Sequence, residues 1–269
     1  MIEETNQDVP VRLPADTLNL LAEFMKEKDE QERRFEDLKK KAEQDHEDRI
    51  ASMLDFTEDW NQSQFWYEEK TACELAESLM EGATDDMVIG LVSAPTVYVK
   101  LREWKQTGKI SKNITIKLFE YDQRFAVFKD DFVAYDFQRP LHGLPSELKG
   151  KFDRVLIDPP FLSEDCQTKT ALTVRWLTKP WTPVSTTTSS SSSDSDNSAT
   201  SDSNNSTPVQ RTRIMTCTGE RMKDIVRKLY KQAGIQITTL EVRHANQLNN
   251  DFRCYANWEN KYWGFNMEE

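Results

Sequence analysis

The chain has 269 residues, with 35 Lys and Arg against 46 Asp and Glu, for a net charge of −11. That length suffices for one sizeable core plus an appendage, and the acidic balance disfavours general binding to phosphate backbones, where affinity comes from Lys and Arg, while suiting a basic protein partner. No apolar run is long enough to span a membrane and no basic-then-apolar leader opens the chain, so a soluble, cytoplasmic, monomeric protein is expected.

The elements divide the chain into a charge-rich helical extension over 1–54 and one domain over 55–269. Residues 1–12 are polar. A helix is expected to start near Pro14-Ala15-Asp16, with Leu18, Leu21 and Met25 as its stripe. From Lys26 to Arg49 most residues are charged, and Phe35, Leu38 and Ala42 keep a thin apolar seam, the pattern of a solvated helix with one narrow packing face. Asp55 to Tyr67 is rich in aromatics, and a helix follows over Glu68 to Met80 with Ala72, Leu75, Ala76 and Leu79 on one side.

Strand and helix signals then alternate. Strands are expected over Met87–Val92, Ile114–Glu120, Phe132–Tyr135 and Phe152–Ile157, with helices over Pro95–Trp104 and from Ser163, its N-cap, onward. Strands separated by helices imply parallel βαβ units. Residues 185–207, Ser185 to Thr207, are Ser, Thr, Asp and Asn with one Ala, a composition that builds no core; a disordered insertion is expected there. Beyond it come a strand over Arg213–Thr216 and an amphipathic helix through Met222, Ile225, Val226, Leu229 and Tyr230. Two further strands, Ile235–Glu241 and Phe252–Trp258, close the chain as an antiparallel hairpin.

Cys73, Cys166, Cys217 and Cys254 are far apart with no C-x-x-C pair, and His46, His142 and His244 are scattered. Reduced, buried thiols and no metal site are expected.

The most informative string is Asp158-Pro159-Pro160-Phe161, at the end of the apolar run Val155-Leu156-Ile157. Two prolines remove two backbone donors and stiffen the turn. The turn presents a carboxylate, an unpaired carbonyl and an aromatic face at one point, groups that suit an amino nitrogen. The string resembles the Asp/Asn-Pro-Pro-aromatic motif of class I methyltransferases that act on amines. Four further stretches narrow it: Ser63-Gln64-Phe65-Trp66-Tyr67, the loop Val92 to Tyr98, the run Phe119 to Phe125, and Cys217-Thr218-Gly219. Together they resemble the eukaryotic lysine methyltransferases of translation elongation factor 1-alpha, from about Leu13 to Trp263 with one insertion.

The resemblance implies an α/β class I S-adenosylmethionine-dependent methyltransferase fold: a mostly parallel seven-stranded sheet with a terminal antiparallel hairpin and added N-terminal helices. It implies S-adenosyl-L-methionine as cofactor, held by Ser93, Ala94 and Pro95 after the first strand. Glu120, with Asp122 as the fallback, would face the ribose hydroxyls, and Asp136 the adenine amino group. The loop Ser93-Ala94-Pro95-Thr96 lacks the glycines that a dinucleotide pyrophosphate needs, which argues against NAD or FAD.

Methyl transfer needs a nucleophile held in line and deprotonated. A lysine, with an ordinary pKa of about 10.4, must first lose a proton. Asp158 and the Pro159 carbonyl are expected to orient the amine, Phe161 to flank it, and Phe65, Trp66 and Tyr67 to wall the pocket. The favoured substrate is elongation factor 1-alpha. A DNA or RNA adenine-N6 methyltransferase would share Asp158 to Phe161 but should add a basic, aromatic groove for a flipped base, and every Lys/Arg cluster here is interleaved with acids.

Overall fold

The computed structural model describes Met25, Lys26, Glu30, Arg33, Met53 and residues 56–59, 64–181, 212–246 and 251–266. The chain divides into two units, Met1–Arg49 and Ile50–Glu269. In the first, the four described residues are helical and exposed. The rest of the expected N-terminal helices and the whole Ser-rich tract 185–207 lie outside the described residues.

The second unit carries helix α1 (Glu69–Met80), strand β1 (Val88–Val92), α2 (Pro95–Gln106), β2 (Thr115–Glu120), β3 (Phe132–Ala134), β4 (Arg154–Ile157), α3 (Glu164–Leu177), β5 (Arg213–Gly219), α4 (Lys223–Leu229), β6 (Gln236–Glu241) and β7 (Phe252–Ala256). The strands form one sheet in the order β3-β2-β1-β4-β5-β7-β6. β1 to β5 are mutually parallel, and β7 runs antiparallel to both of its neighbours, β5 and β6. The seven-stranded, mostly parallel sheet with a closing antiparallel hairpin is the expected fold.

Both faces of the sheet are covered, which is why β1 and the Val155–Ile157 stretch of β4 read as continuous apolar runs rather than alternating ones. On one face Leu75 and Leu79 of α1 and Val97 and Leu101 of α2 pack on Leu91, Leu118 and Leu156. On the other, Val174 and Leu177 of α3 and Val226 of α4 pack on Val92, Val155 and Ile157. Gly90 in β1 is where the packing is tightest: a Cβ there would stand 2.9 Å from the Phe152 ring, which is fully buried. Gly90→Ala is therefore expected to lower stability by about 1–3 kcal/mol through overpacking, read as a reduced urea midpoint with the slope unchanged.

Several boundaries differ from the sequence reading. β4 starts at Arg154, because Phe152 pairs only in an isolated bridge with Thr178. β5 runs on to Gly219, carried three residues further by pairing with β7 up to Gly219 opposite Phe252. The helix read through Met222 to Tyr230 is a 3-10 turn, Glu220–Met222, followed by α4, and the chain leaves a second short turn at Gly234 in the left-handed conformation. A 3-10 stretch over Gln123–Asp131, absent from the sequence reading, fills the β2–β3 connection and buries Phe125 and Phe128 against Phe56. No helix among the described residues is long and apolar enough to cross a membrane.

Candidate active site

Strand order reverses at β1, which leads outward to β2 and β3 on one side and to β4 and β5 on the other. A crevice beyond the carboxyl ends of the strands follows from that topology. The registers place its floor: Val92 lies opposite Phe119 of β2 and Ile157 of β4. The next residue of each strand is therefore Ser93, Glu120 and Asp158, side by side. The Ser93 amide donates to the Phe119 carbonyl (2.8 Å) and the Asp158 amide to the Val92 carbonyl (2.9 Å). One position over, the Tyr135 amide donates to the Glu120 carbonyl (2.9 Å) and brings Asp136 to the rim. A cavity of about 270 Å³ lies here.

All but one of the residues read as site candidates line this cavity: Ser93, Ala94, Pro95, Glu120, Asp136, Asp158, Pro159, Pro160, Phe161, Phe65, Trp66 and Tyr67. The exception is Asp122, which is corrected. Its carboxylate caps the 3-10 stretch, accepting from the Arg124 amide (2.9 Å), and its other oxygen accepts from Arg124 Nε (2.8 Å) and Gln64 Nε2 (2.8 Å). Buried and turned to Arg124 and Gln64, it lies outside the cavity lining. It ties the segment before Phe65 to β2, since Arg124 also donates to Gln64 Oε1 (2.8 Å) and the Thr57 carbonyl (3.1 Å). The reading missed Thr96, Tyr121, Tyr135, Phe137, Gln138 and His244, which also line the cavity. His244 gave no local signal; it arrives because Tyr67 bridges to it as a short antiparallel pair. The flanking bonds, Glu68 amide to Arg243 carbonyl (3.0 Å) and Ala245 amide to Trp66 carbonyl (2.8 Å), strap Phe65-Trp66-Tyr67 over the pocket.

On the β1–β2 side the groups suit a nucleoside with a charged tail. Glu120 is buried, and its Oε1 accepts from the Tyr121 amide (2.9 Å) and the Asp122 amide (3.2 Å), which leaves Oε2 for a ligand. Burial, partly offset by those amides and reinforced by the charge of Asp122, pushes its carboxyl up to about 7. Ser93 has φ 53°, the left-handed region that favours glycine, so the serine takes the backbone shape a glycine-rich loop would supply. α2 starts directly after it, with Pro95 at its first turn and no side chain capping its N-terminus. Thr96 in that turn is buried with its hydroxyl unpartnered. Open first-turn amides and an orphaned hydroxyl beside the cavity fit a carboxylate. Asp136 is half-engaged, accepting from the Gln138 amide (2.9 Å) and Arg139 Nε (3.2 Å), and a carboxylate keeps further lone pairs. These residues fit S-adenosylmethionine.

On the β4 side Asp158 is half-buried, and Tyr67 donates to its Oδ2 at 2.5 Å. Burial raises the Asp158 carboxyl to about 7; the Tyr67 hydrogen bond opposes the rise and the charge of Glu120 adds to it. The Pro159 carbonyl accepts no hydrogen bond from the described residues. Phe161 is 42% exposed, an aromatic face 5.5 Å from the Phe137 ring. The far end of the turn is pinned to β5. Gln167 donates to the Phe161 carbonyl (3.4 Å) and to Thr218 Oγ1 (3.0 Å), Arg221 donates to the Leu162 carbonyl (3.0 Å), and a Cβ on Gly219 would stand 2.9 Å from Leu162. Only a glycine at 219 admits Leu162 that close. Burial lowers His244 to about 4, so this imidazole is neutral near pH 7. Among the described residues the lining carries three carboxylates and no Lys or Arg.

A sheet of this order with β7 alone reversed, and an acid–Pro–Pro–aromatic turn closing β4 beside the pocket, make the chain a class I methyltransferase. Residues 58–260 match the family described as "Probable N6-adenine methyltransferase", and the chain belongs to that family. It is 39% identical over 257 residues to "Protein-lysine N-methyltransferase EFM5" of Saccharomyces cerevisiae, covering 94% of each chain. It is 36% identical over 203 residues to "EEF1A lysine methyltransferase 1" of Homo sapiens, covering 75% of this chain and 76% of that one. It is also 34% identical over 260 residues to "Protein-lysine N-methyltransferase M142.8" of Caenorhabditis elegans, covering 94% of this chain and 95% of that one.

Proposed function

We propose that this protein transfers a methyl group from S-adenosylmethionine to a lysine side chain of translation elongation factor 1-alpha. The observation that carries the reading is Asp158 beside the Phe161, Trp66 and Tyr67 rings, in a cavity with no Lys or Arg among the described residues that line it. An ammonium group is attracted to such a pocket. A nucleic acid needs cations along its backbone, and the net charge of −11 disfavours the adenine reading. The relatives named as lysine methyltransferases of elongation factor 1-alpha support the substrate. We assign the protein to the cytoplasm and to a monomeric state on the same reading, with a basic protein as its partner.

The roles follow from the groups present. Glu120 would hold the ribose hydroxyls, Asp136 the adenine amino group, and the first turn of α2 with Thr96 the carboxylate of the cofactor's methionine part. S-adenosylmethionine supplies an electrophilic methyl on a sulfonium, and the N–C bond forms as the C–S bond breaks, its electron pair staying on sulfur. Asp158 and the Pro159 carbonyl accept from the amine and set the direction of its lone pair. Phe161 lies against the amine as it regains positive charge on methylation. Phe65, Trp66 and Tyr67 close the pocket and keep water out.

Incubating the purified protein with methyl-labelled S-adenosylmethionine and, in parallel, elongation factor 1-alpha, DNA and RNA tests this. Label on a lysine of the elongation factor is the expected result; label on adenine would replace the reading with the nucleic-acid one.

A further inference from the structure

Tyr67 does more than wall the pocket. It is buried at 4% exposure, its ring lies 5.1 Å from that of His244, and its backbone is bridged to His244. Its hydroxyl donates to Asp158 Oδ2, and the fully buried thiol of Cys217 in β5 lies near enough to add to the upward push on the phenol. Asp158 Oδ1 takes no hydrogen bond from the described residues, so the Tyr67 contact leaves that oxygen for a ligand.

Resting on the lysine reading above, we propose that Tyr67 is a positioning residue for the reaction: its hydroxyl occupies Oδ2 of Asp158 and presents Oδ1 to the substrate ammonium, whose proton Asp158 accepts. The N–H bond of the lysine ammonium breaks, its electron pair stays on nitrogen as the lone pair that attacks, and Asp158 becomes the neutral acid. The proton passes to water after the product leaves. Burial and the neighbouring charge of Asp158 push the Tyr67 phenol well above its ordinary range, so it stays a donor throughout. The ionisable groups facing Asp158 are Tyr67 on the strap, Glu120 at the end of β2 and Cys217 in β5, with His244 after β6 lining the same cavity. Of these, Tyr67 alone holds the carboxylate down against burial. A base titrating near neutral pH is the efficient choice for this proton transfer.

Two measurements on the full chain test this: the pH dependence of kcat/KM for lysine methylation, and the titration of the Asp158 carboxyl by 13C NMR without substrate, assigned by its loss in Asp158→Asn. Tyr67→Phe keeps the ring and removes the donor. Its acid limb and its carboxyl titration are expected to move up together by about one pH unit, roughly a tenfold loss at pH 6 that recovers by pH 9. Cys217→Ala, which leaves the Tyr67–Asp158 hydrogen bond in place, should leave both unmoved. A uniform loss at all pH values with an unmoved carboxyl titration in Tyr67→Phe overturns the proposal and leaves Tyr67 as a wall. A moved carboxyl titration with no lysine labelled by the wild type removes the lysine reading, and with it the proton transfer.

Discussion

Asp158→Ala is expected to lower kcat for lysine methylation by about 10²–10⁴-fold, the range that a positioned proton-transfer and orienting group supplies. The Kd for S-adenosylmethionine should stay within about threefold, because Ser93, Thr96 and Glu120, the groups proposed to face the cofactor, lie just after β1, in α2 and in β2 rather than on the β4 turn. Two functions are lost at once: an acceptor that fixes the amine, and the carboxylate that keeps it deprotonated. Asp158→Asn separates them. An amide keeps the shape and an oxygen for the Tyr67 hydroxyl, and offers no basic oxygen to the ammonium. Its loss should approach that of the alanine variant at pH 7. Isothermal titration gives the cofactor Kd and a labelled-methyl assay gives kcat. Activity within threefold of wild type in either variant removes Asp158 from the chemistry.

Glu120→Gln is expected to act with opposite signs on stability and on cofactor binding. The carboxyl is only 7% exposed, and burial raises it to about 7. The folded state therefore holds this proton more tightly than the unfolded chain, whose glutamate titrates near 4.3. The stabilisation is fully present below about pH 4 and is lost as the pH rises through about 7, a change on the order of 3 kcal/mol. Glutamine has no charge to bury and can still accept the Tyr121 and Asp122 amides. At pH 8 the variant should melt several degrees above wild type, and at pH 4 the two should coincide. His244, lowered to about 4, works in the other direction between about pH 4 and 6.5, but it is common to both proteins and cancels. The same variant should bind S-adenosylmethionine about 10–100-fold more weakly, because hydroxyl donors lose a charged acceptor. Scanning calorimetry across pH and titration with cofactor read the two effects. A variant that is less stable than wild type at pH 8 contradicts the assigned burial of the charge.

The site was unevenly legible. Asp158-Pro159-Pro160-Phe161 could be placed directly because its shape is a property of the local chain: two prolines fix the turn whatever surrounds it. Glu120 and Asp136 could be placed because strand ends are visible in the apolar pattern, and parallel topology puts strand ends at the ligand crevice. Asp122, two residues from Glu120, was equally acidic and equally near a strand end. Only the fold shows its carboxylate spent on Arg124 and Gln64. Ser93 read as a departure from a glycine loop, and the structure shows the same backbone conformation reached without glycine.

The sequence by itself determined the sheet, the stiff acid–Pro–Pro–aromatic turn and the acidic balance of the chain, since strand patterning, proline stiffness and charge count need no neighbours. Tertiary structure decided what those groups do. The pairing of Tyr67 with His244 spans 177 positions of chain and its hydrogen bond to Asp158 spans 91, with no periodicity to announce either. Protonation was decided there too. A carboxylate titrates where its burial and its partners set it, and both are properties of the packed fold.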